Sequence, residues 1–191
     1  TATLDSIPDE HGVVTDIASR AGDLAVTADW SNSGGRYGVI YWSTDGGTAL
    51  DWESTTIGST SAVDESQATM CDGNAVAVAR EGATPSSTSW RIVRSAYDID
   101  NTILGSTDIS TDGNNRTPDV ACVANQKTAI AWYQKGPSGW TIRLHVRKVH
   151  GEDLAAQSLT VGTGSMNKGL SIAASAQRSA LVAPPALLVK V

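Results

Sequence analysis

Thr128-Ala129-Ile130-Ala131-Trp132 decides how this chain is read, because it has counterparts along the whole length. Two are earlier, Leu24-Ala25-Val26-Thr27-Ala28-Asp29-Trp30 and Ala75-Val76-Ala77-Val78-Ala79-Arg80, and a shorter one is Ala180-Leu181-Val182-Ala183. The copies start at 24, 75, 128 and 180, so the steps are 51, 53 and 52 residues. A period of that size marks a chain built from repeated supersecondary units, each burying its apolar face against the next.

The third copy shows what one unit contains. Pro118 precedes the apolar run Asp119-Val120-Ala121-Cys122-Val123-Ala124, Asn125-Gln126-Lys127 turns the chain, and Thr128–Tyr133 follows. Lys135-Gly136-Pro137-Ser138-Gly139 has the composition of a hairpin loop. The next run alternates strictly. Trp140, Ile142, Leu144 and Val146 share one face, and Thr141, Arg143, His145 and Arg147 share the other. A period of two predicts a strand with one solvated face. Gly151-Glu152-Asp153 turns again before Ser158-Leu159-Thr160-Val161. Four strands, small and apolar at one end and wetter at the other, predict one blade of a β-propeller.

The first repeat places strands near 13–19, 24–30, 37–43 and 54–57, and the second near 67–71, 75–80, 90–95 and 105–109. The fourth has 170–175, 180–183 and 187–191, and lacks an outermost strand. Ala2-Thr3-Leu4-Asp5-Ser6 resembles the outer strands around Ile57, Ile109 and Val161, and its centre Leu4 keeps the period. The expectation is one all-β domain over residues 1–191, a propeller of four four-stranded blades. These lie near 11–58, 63–110, 117–162 and 168–191 plus 1–6, so that the N-terminal strand closes the last blade. Closure hides strand edges that would otherwise pair with other chains. Two alternatives remain: half of an eight-bladed homodimer, or a fragment of a longer propeller.

Cys71 and Cys122 are 51 residues apart, close to the period, which puts them at similar positions in neighbouring repeats. They read either as two small buried apolar residues or as a disulfide between adjacent repeats, which needs Cα atoms within about 7 Å.

Pro118-Asp119-Val120-Ala121, Thr128–Trp132, Trp140-Thr141-Ile142-Arg143 and Gly151 follow a loose pattern: Pro and a Val-Ala strand, a strand ending in Trp, an alternating strand, a Gly turn. This resembles the repeats of about 50 residues in large secreted bacterial and archaeal surface proteins. The resemblance covers most of the chain, is compositional, and implies a propeller-like extracellular binding or structural module without catalytic residues. Ser43-Thr44-Asp45-Gly46-Gly47-Thr48 with Trp52 resembles the Asp-box hairpin of sialidase-like propellers, although Trp52 stands further off than that pattern has it. The same residues also read as a plain Gly-rich turn with a buried Trp.

Candidate chemistry is sparse. A sialidase-type hydrolase would need three arginines around a carboxylate, a Tyr–Glu pair and an acidic Asp, and the spacing assembles no such set. Arg91, Arg143, His145 and Arg147 read as residues on solvated strand faces. His11, His145 and His150 form no metal-binding pair, and the cysteines no C-x-x-C. Asp98-Ile99-Asp100-Asn101 and Asp112-Gly113-Asn114-Asn115 are oxygen-rich loops that fit calcium or simple turns. Asn115-Arg116-Thr117 is a glycosylation sequon disfavoured by Pro118. Trp30, Trp90, Trp132 and Trp140 recur with the repeat and read as packing between blades. Trp42 and Trp52 recur less well and are the candidates for stacking a ligand, although packing explains them too.

The net charge of −6 and the absence of a Lys/Arg cluster argue against a nucleic-acid partner. No apolar run reaches about 18 residues, so no membrane span is expected. The expected function is a non-enzymatic secreted or surface module that binds a protein or glycan, with a sialidase-like glycan-processing enzyme as the alternative.

Overall fold

A computed structural model describes residues 11–43, 52–98, 103–111, 113–123, 126–150, 153–162, 170–174 and 187–190, and all regular structure among them is strand. The first repeat forms β1 (His11–Arg20), β2 (Asp23–Asn32), β3 (Gly35–Ser43) and β4 (Glu53–Ile57). The second forms β5 (Val63–Cys71), β6 (Asn74–Gly82), β7 (Trp90–Asp98) and β8 (Ile103–Asp108). The third forms β9 (Asn114–Val123), β10 (Lys127–Gly136), β11 (Gly139–Lys148) and β12 (Asp153–Gly162). β13 (Ser171–Ala174) and β14 (Leu187–Lys190) follow. Each of the first three repeats is an antiparallel sheet with its strands in chain order, and β13 pairs with β14. The expected closing strand Ala2–Ser6 and the Asp-box-like turn Thr44–Thr48 lie outside the described residues.

The repeats agree in detail. β1–β2 and β5–β6 are joined by two-residue turns whose residues all have positive φ: Ala21 (55°) and Gly22 (100°), Asp72 (50°) and Gly73 (83°). That is the hairpin turn whose twist matches the flanking strands. The first strand of each sheet bulges in the same place each time, between Val14 and Asp16, between Asp64 and Gln67, and between Arg116 and Asp119. Glu65 (φ 54°) and Thr117 (φ 45°) carry the left-handed bulge conformation in the second and third sheets. The ladders then fix which residues are equivalent. Asp16 faces Thr27, Gln67 faces Val78, and Asp119 faces Ala131.

Successive residues of a strand point to opposite faces, and both faces of the second and third sheets are covered. Ala25, Ile40, Trp42 and Ile57 of the first sheet form one cluster with Ala68, Ala75, Ala77, Ala79, Val93 and Tyr97 of the second. Val76, Val78, Ile92 and Ala96, on the opposite face of the second sheet, join Val120, Ile130 and Trp132 of the third. Ala129, Ala131, Tyr133, Ile142 and Leu144, on the far face of the third, join Leu170 and Ile172 of the fourth repeat. Hence the second strands read as near-continuous apolar runs rather than alternating ones: Val76 and Ala77 are both interior.

Two expectations are corrected. The polar face of Trp140–Arg147 is not solvated. Arg143, His145 and Arg147 pair across the ladder with Trp132, Ile130 and Thr128, and Ile130 and Trp132 pack against the second sheet. Arg147 is buried, and the His145 ring meets the edge of Trp132 at 5.1 Å. Alternation detects the two faces of a strand but not the neighbouring sheet that covers the polar one. The second correction concerns the fourth repeat. Leu187–Lys190 pairs directly with β13, Ser171 opposite Lys190 and Ile172 opposite Val189. It takes the place that the repeat alignment assigns to Ala180–Ala183, a segment outside the described residues. Pro184 and Pro185 follow Ala183 at once and have no N–H to give a ladder, whereas Leu187-Leu188-Val189 is an uninterrupted strand-forming run.

Candidate functional site: the cavity between the innermost strands

The first strands of the sheets line one cavity of about 700 Å³. β1 contributes Asp16, Ala18, Ser19 and Arg20, and β5 contributes Gln67–Met70. β9 contributes Asp119–Cys122, and Leu170–Ile172 complete the wall.

The polar residues of this wall hold the sheets to each other. Asp16 Oδ1 accepts the N–H of Ile17 at 2.8 Å, and its Oδ2 accepts the N–H of Ala68 on the next sheet at 3.0 Å. Asp119 repeats the device, with Val120 N–H on Oδ1 at 2.8 Å and Ile172 N–H on Oδ2 at 2.5 Å. In the second sheet Gln67 stands at that position, and Thr69 Oγ1 accepts from the Cys122 N–H at 3.2 Å instead. Glu65 Oε2 takes the Thr117 N–H at 2.6 Å, and Asp72 Oδ2 takes the Gln126 N–H at 2.8 Å. These side chains satisfy backbone donors at sheet edges where no strand pairs with them. Burial holds the Asp119 carboxyl above the usual range against the pull of its two N–H donors, and the charge of Asp16 pushes the same way. Burial likewise raises Asp29 and Glu65.

Cys71 and Cys122 are joined in a disulfide with Cα atoms 5.1 Å apart. The ladders place Cys122 level with Met70 and Cys71 level with Val123, so the cysteines stand one residue out of register. That offset makes the bridge possible. Residues at equal positions point the same way around the stack, and a step of one turns Cys122 back towards Cys71. Arg20 reaches in from the first sheet, with Nη1 2.7 Å from Cys122 Sγ and Nη2 2.6 Å from Asp72 Oδ1. Donor atoms of Cys71, Asp72 and Cys122 lie within 4.8 Å of one another, but the thiolates a metal would need are tied in the bridge.

The two candidate stacking residues are not brought together. Trp42 is 1% exposed and stacks on Tyr97 of the second sheet, with centroids 5.2 Å apart and planes 11° apart. Its ring faces are in the core, which removes it as a ligand platform. Trp52 is half-buried on the opposite face of the first sheet, against Val26, Ala28, Val39 and Tyr41. Asn115 of the sequon is fully buried; its amide donates to the carbonyls of Trp90 (2.6 Å) and Thr111 (3.0 Å) and accepts from Trp132 Nε1 (3.1 Å). It anchors a loop and cannot receive a glycan. Arg91 is committed to the buried Glu81 at 2.7 Å. His11 and His150 are exposed. The oxygen-rich loops proposed for calcium fall partly outside the described residues, at Ile99–Asn101 and Asp112.

Sequence reasoning passed over Asp16 and Asp119. Their signal was present in Asp16-Ile17-Ala18 and Asp119-Val120-Ala121, the same Asp-aliphatic-Ala string two periods apart. No helix among the described residues is long and apolar enough to cross a membrane. No protein family matches this chain, and no curated protein does.

Proposed function

We infer that this chain is a propeller-type extracellular module that binds a partner and is not an enzyme, with the innermost-strand cavity as its binding site. The observation that carries this is that all four repeats contribute their first strand to one cavity. Face-to-face stacking of consecutive sheets supports the propeller arrangement. The wall offers the carboxylates of Asp16 and Asp119, the hydroxyls of Ser19, Thr69 and Ser171, and the amide of Gln67, separated by alanines. Convergent acceptors and hydroxyls in a concave site suit a glycan or a polar protein loop. A disulfide suits an oxidising compartment, which supports a secreted or surface location.

The sialidase-like alternative requires three guanidinium groups around a substrate carboxylate. The described cavity wall carries Arg20, already paired with Asp72, beside two carboxylates that would repel such a substrate. This favours binding over hydrolysis. The test is a glycan array, followed by calorimetric titration of the best ligand against Asp16→Asn and Asp119→Asn. Binding weakened about tenfold, or about 1.4 kcal/mol, by either substitution supports the cavity. Binding indifferent to both moves the site elsewhere, and turnover of a sialoside by the unaltered protein replaces binding with hydrolysis.

A further inference from the structure

Three sheets meet at one part of the cavity wall. Cys71, at the end of β5, and Cys122 of β9 carry the bridge between the second and third sheets. Arg20 ends β1 and reaches across from the first sheet, with Nη1 2.7 Å from Cys122 Sγ and Nη2 2.6 Å from Asp72 Oδ1. The two bridged cysteines differ in access. Cys71 is 0% exposed. Cys122 is half-buried and lines the cavity together with Ser19 and Arg20. A nucleophile that enters the cavity therefore meets Cys122 rather than Cys71. The backbone at Cys122 is also held independently of the bridge, because its N–H is given to Thr69 Oγ1 at 3.2 Å.

We propose that Cys122 is a thiol-modification site: a small thiol entering the cavity opens the Cys71–Cys122 bridge at Cys122, and Arg20 holds the Cys122 thiolate that is finally released. In the first step a thiolate RS⁻ forms a bond to Cys122 Sγ, the bond between Cys71 and Cys122 breaks, and Cys71 leaves with the electron pair and takes a proton from water. In the second step another RS⁻ attacks the R-bearing sulfur of the mixed disulfide, RSSR forms, and Cys122 departs as the thiolate. Two small thiols are oxidised and one disulfide is reduced, so the two electrons balance. Arg20 serves both steps. Its guanidinium attracts the anionic nucleophile, and its Nη1 beside Sγ favours thiolate over thiol at Cys122. The charges that oppose it are Asp72, which Arg20 itself holds, and Asp16 and Asp119 on the same wall. The reaction uses the cavity as a route and does not depend on what the cavity binds.

The site of attack is tested on the unaltered protein by brief exposure to limiting reduced glutathione, an acid quench and peptide mass spectrometry. The expected product carries glutathione on Cys122 and a free thiol at Cys71. Glutathione on Cys71, on both cysteines alike or on neither overturns the proposal. The part of Arg20 is tested in the fully reduced protein with iodoacetamide near neutral pH. Cys122 should be alkylated before Cys71, and Arg20→Gln should slow Cys122 about tenfold while leaving Cys71 unchanged. Arg20→Lys, which keeps the charge, should restore part of the rate. Equal rates at Cys122 in the unaltered protein and Arg20→Gln overturn the role given to Arg20. The glutathione experiment needs no variant, so it decides the site of attack even where Arg20→Gln fails to fold. Neither measurement reads ligand binding, so a failure here leaves the proposed binding site standing.

Discussion

Val120 and Ile17 hold the same place in the innermost strands of the third and first sheets, yet Val120 is 4% exposed and Ile17 65%. Around Val120, the second and third sheets are tied by apolar packing, a disulfide and side-chain acceptors on backbone N–H groups. Around Ile17 the apolar residues described on that face, Val26, Ala28, Val39 and Tyr41, come from the first sheet. The difference teaches that the sheet is not the stable unit here. Its two apolar faces make it a liability until neighbours cover them, and each seam adds its own locks to what burial supplies.

The strongest test of the covered seams is Trp42→Ala. Removing an indole that stacks on Tyr97 at 1% exposure should lower stability by about 4 kcal/mol in urea unfolding. A loss below about 1 kcal/mol would mean that the first and second sheets do not depend on their shared cluster. Next comes Cys71→Ser/Cys122→Ser. Opening a loop of 51 residues should cost about 3 kcal/mol, read as a lower urea midpoint that reduction of the unaltered protein reproduces.

Glu81→Gln should cost about 2 kcal/mol. Glu81 is 1% exposed and accepts the N–H groups of Ser59 (2.5 Å) and Thr60 (2.8 Å) on the connection between first and second sheets, while Arg91 pairs with its other oxygen. Burial alone would raise its carboxyl, but the Ser59 N–H and Arg91 more than offset this and hold it below the ordinary 4.5. The folded value lies under the unfolded one, so its stabilisation is present above pH 4.5 and is lost as pH falls through the folded value. Acid titration of stability should therefore be flatter below pH 4.5 in the variant, and an unchanged profile would remove Glu81 from the lock.

The smallest effect sharpens the opening comparison. Val120→Ala should cost about 2 kcal/mol and Ile17→Ala less than about 1 kcal/mol, although the second deletes more atoms. Equal losses would mean that Ile17 is packed as tightly as Val120.

Much of this was legible in the residues. The period, the four strands of each of the first three repeats and their order could be read from Thr128–Trp132 and its counterparts. Strand pattern and turn residues are local properties, and Asp72-Gly73 announces its own hairpin. The candidate site was less legible. Asp16 and Asp119 looked like ordinary strand residues, because their partners are backbone N–H groups a whole repeat away. For Trp42 the sequence left ligand stacking and packing both open, since nothing in its surroundings in sequence mentions Tyr97. In the fourth repeat β13 pairs with Leu187–Lys190, a place that composition alone gave to Ala180–Ala183, because composition does not say which of two later segments a strand will face.

By itself the sequence determined an all-β chain of repeated units joined by short turns, since hydrophobic period and turn chemistry act within a few residues. Only the tertiary structure decided that both faces of the second and third sheets are interior, that Cys71 and Cys122 meet through a one-residue offset, and that carboxylates of the first strands serve the neighbouring sheet. These depend on contacts between residues about one repeat apart, and a strand carries no record of what will lie across from it until the sheets are stacked.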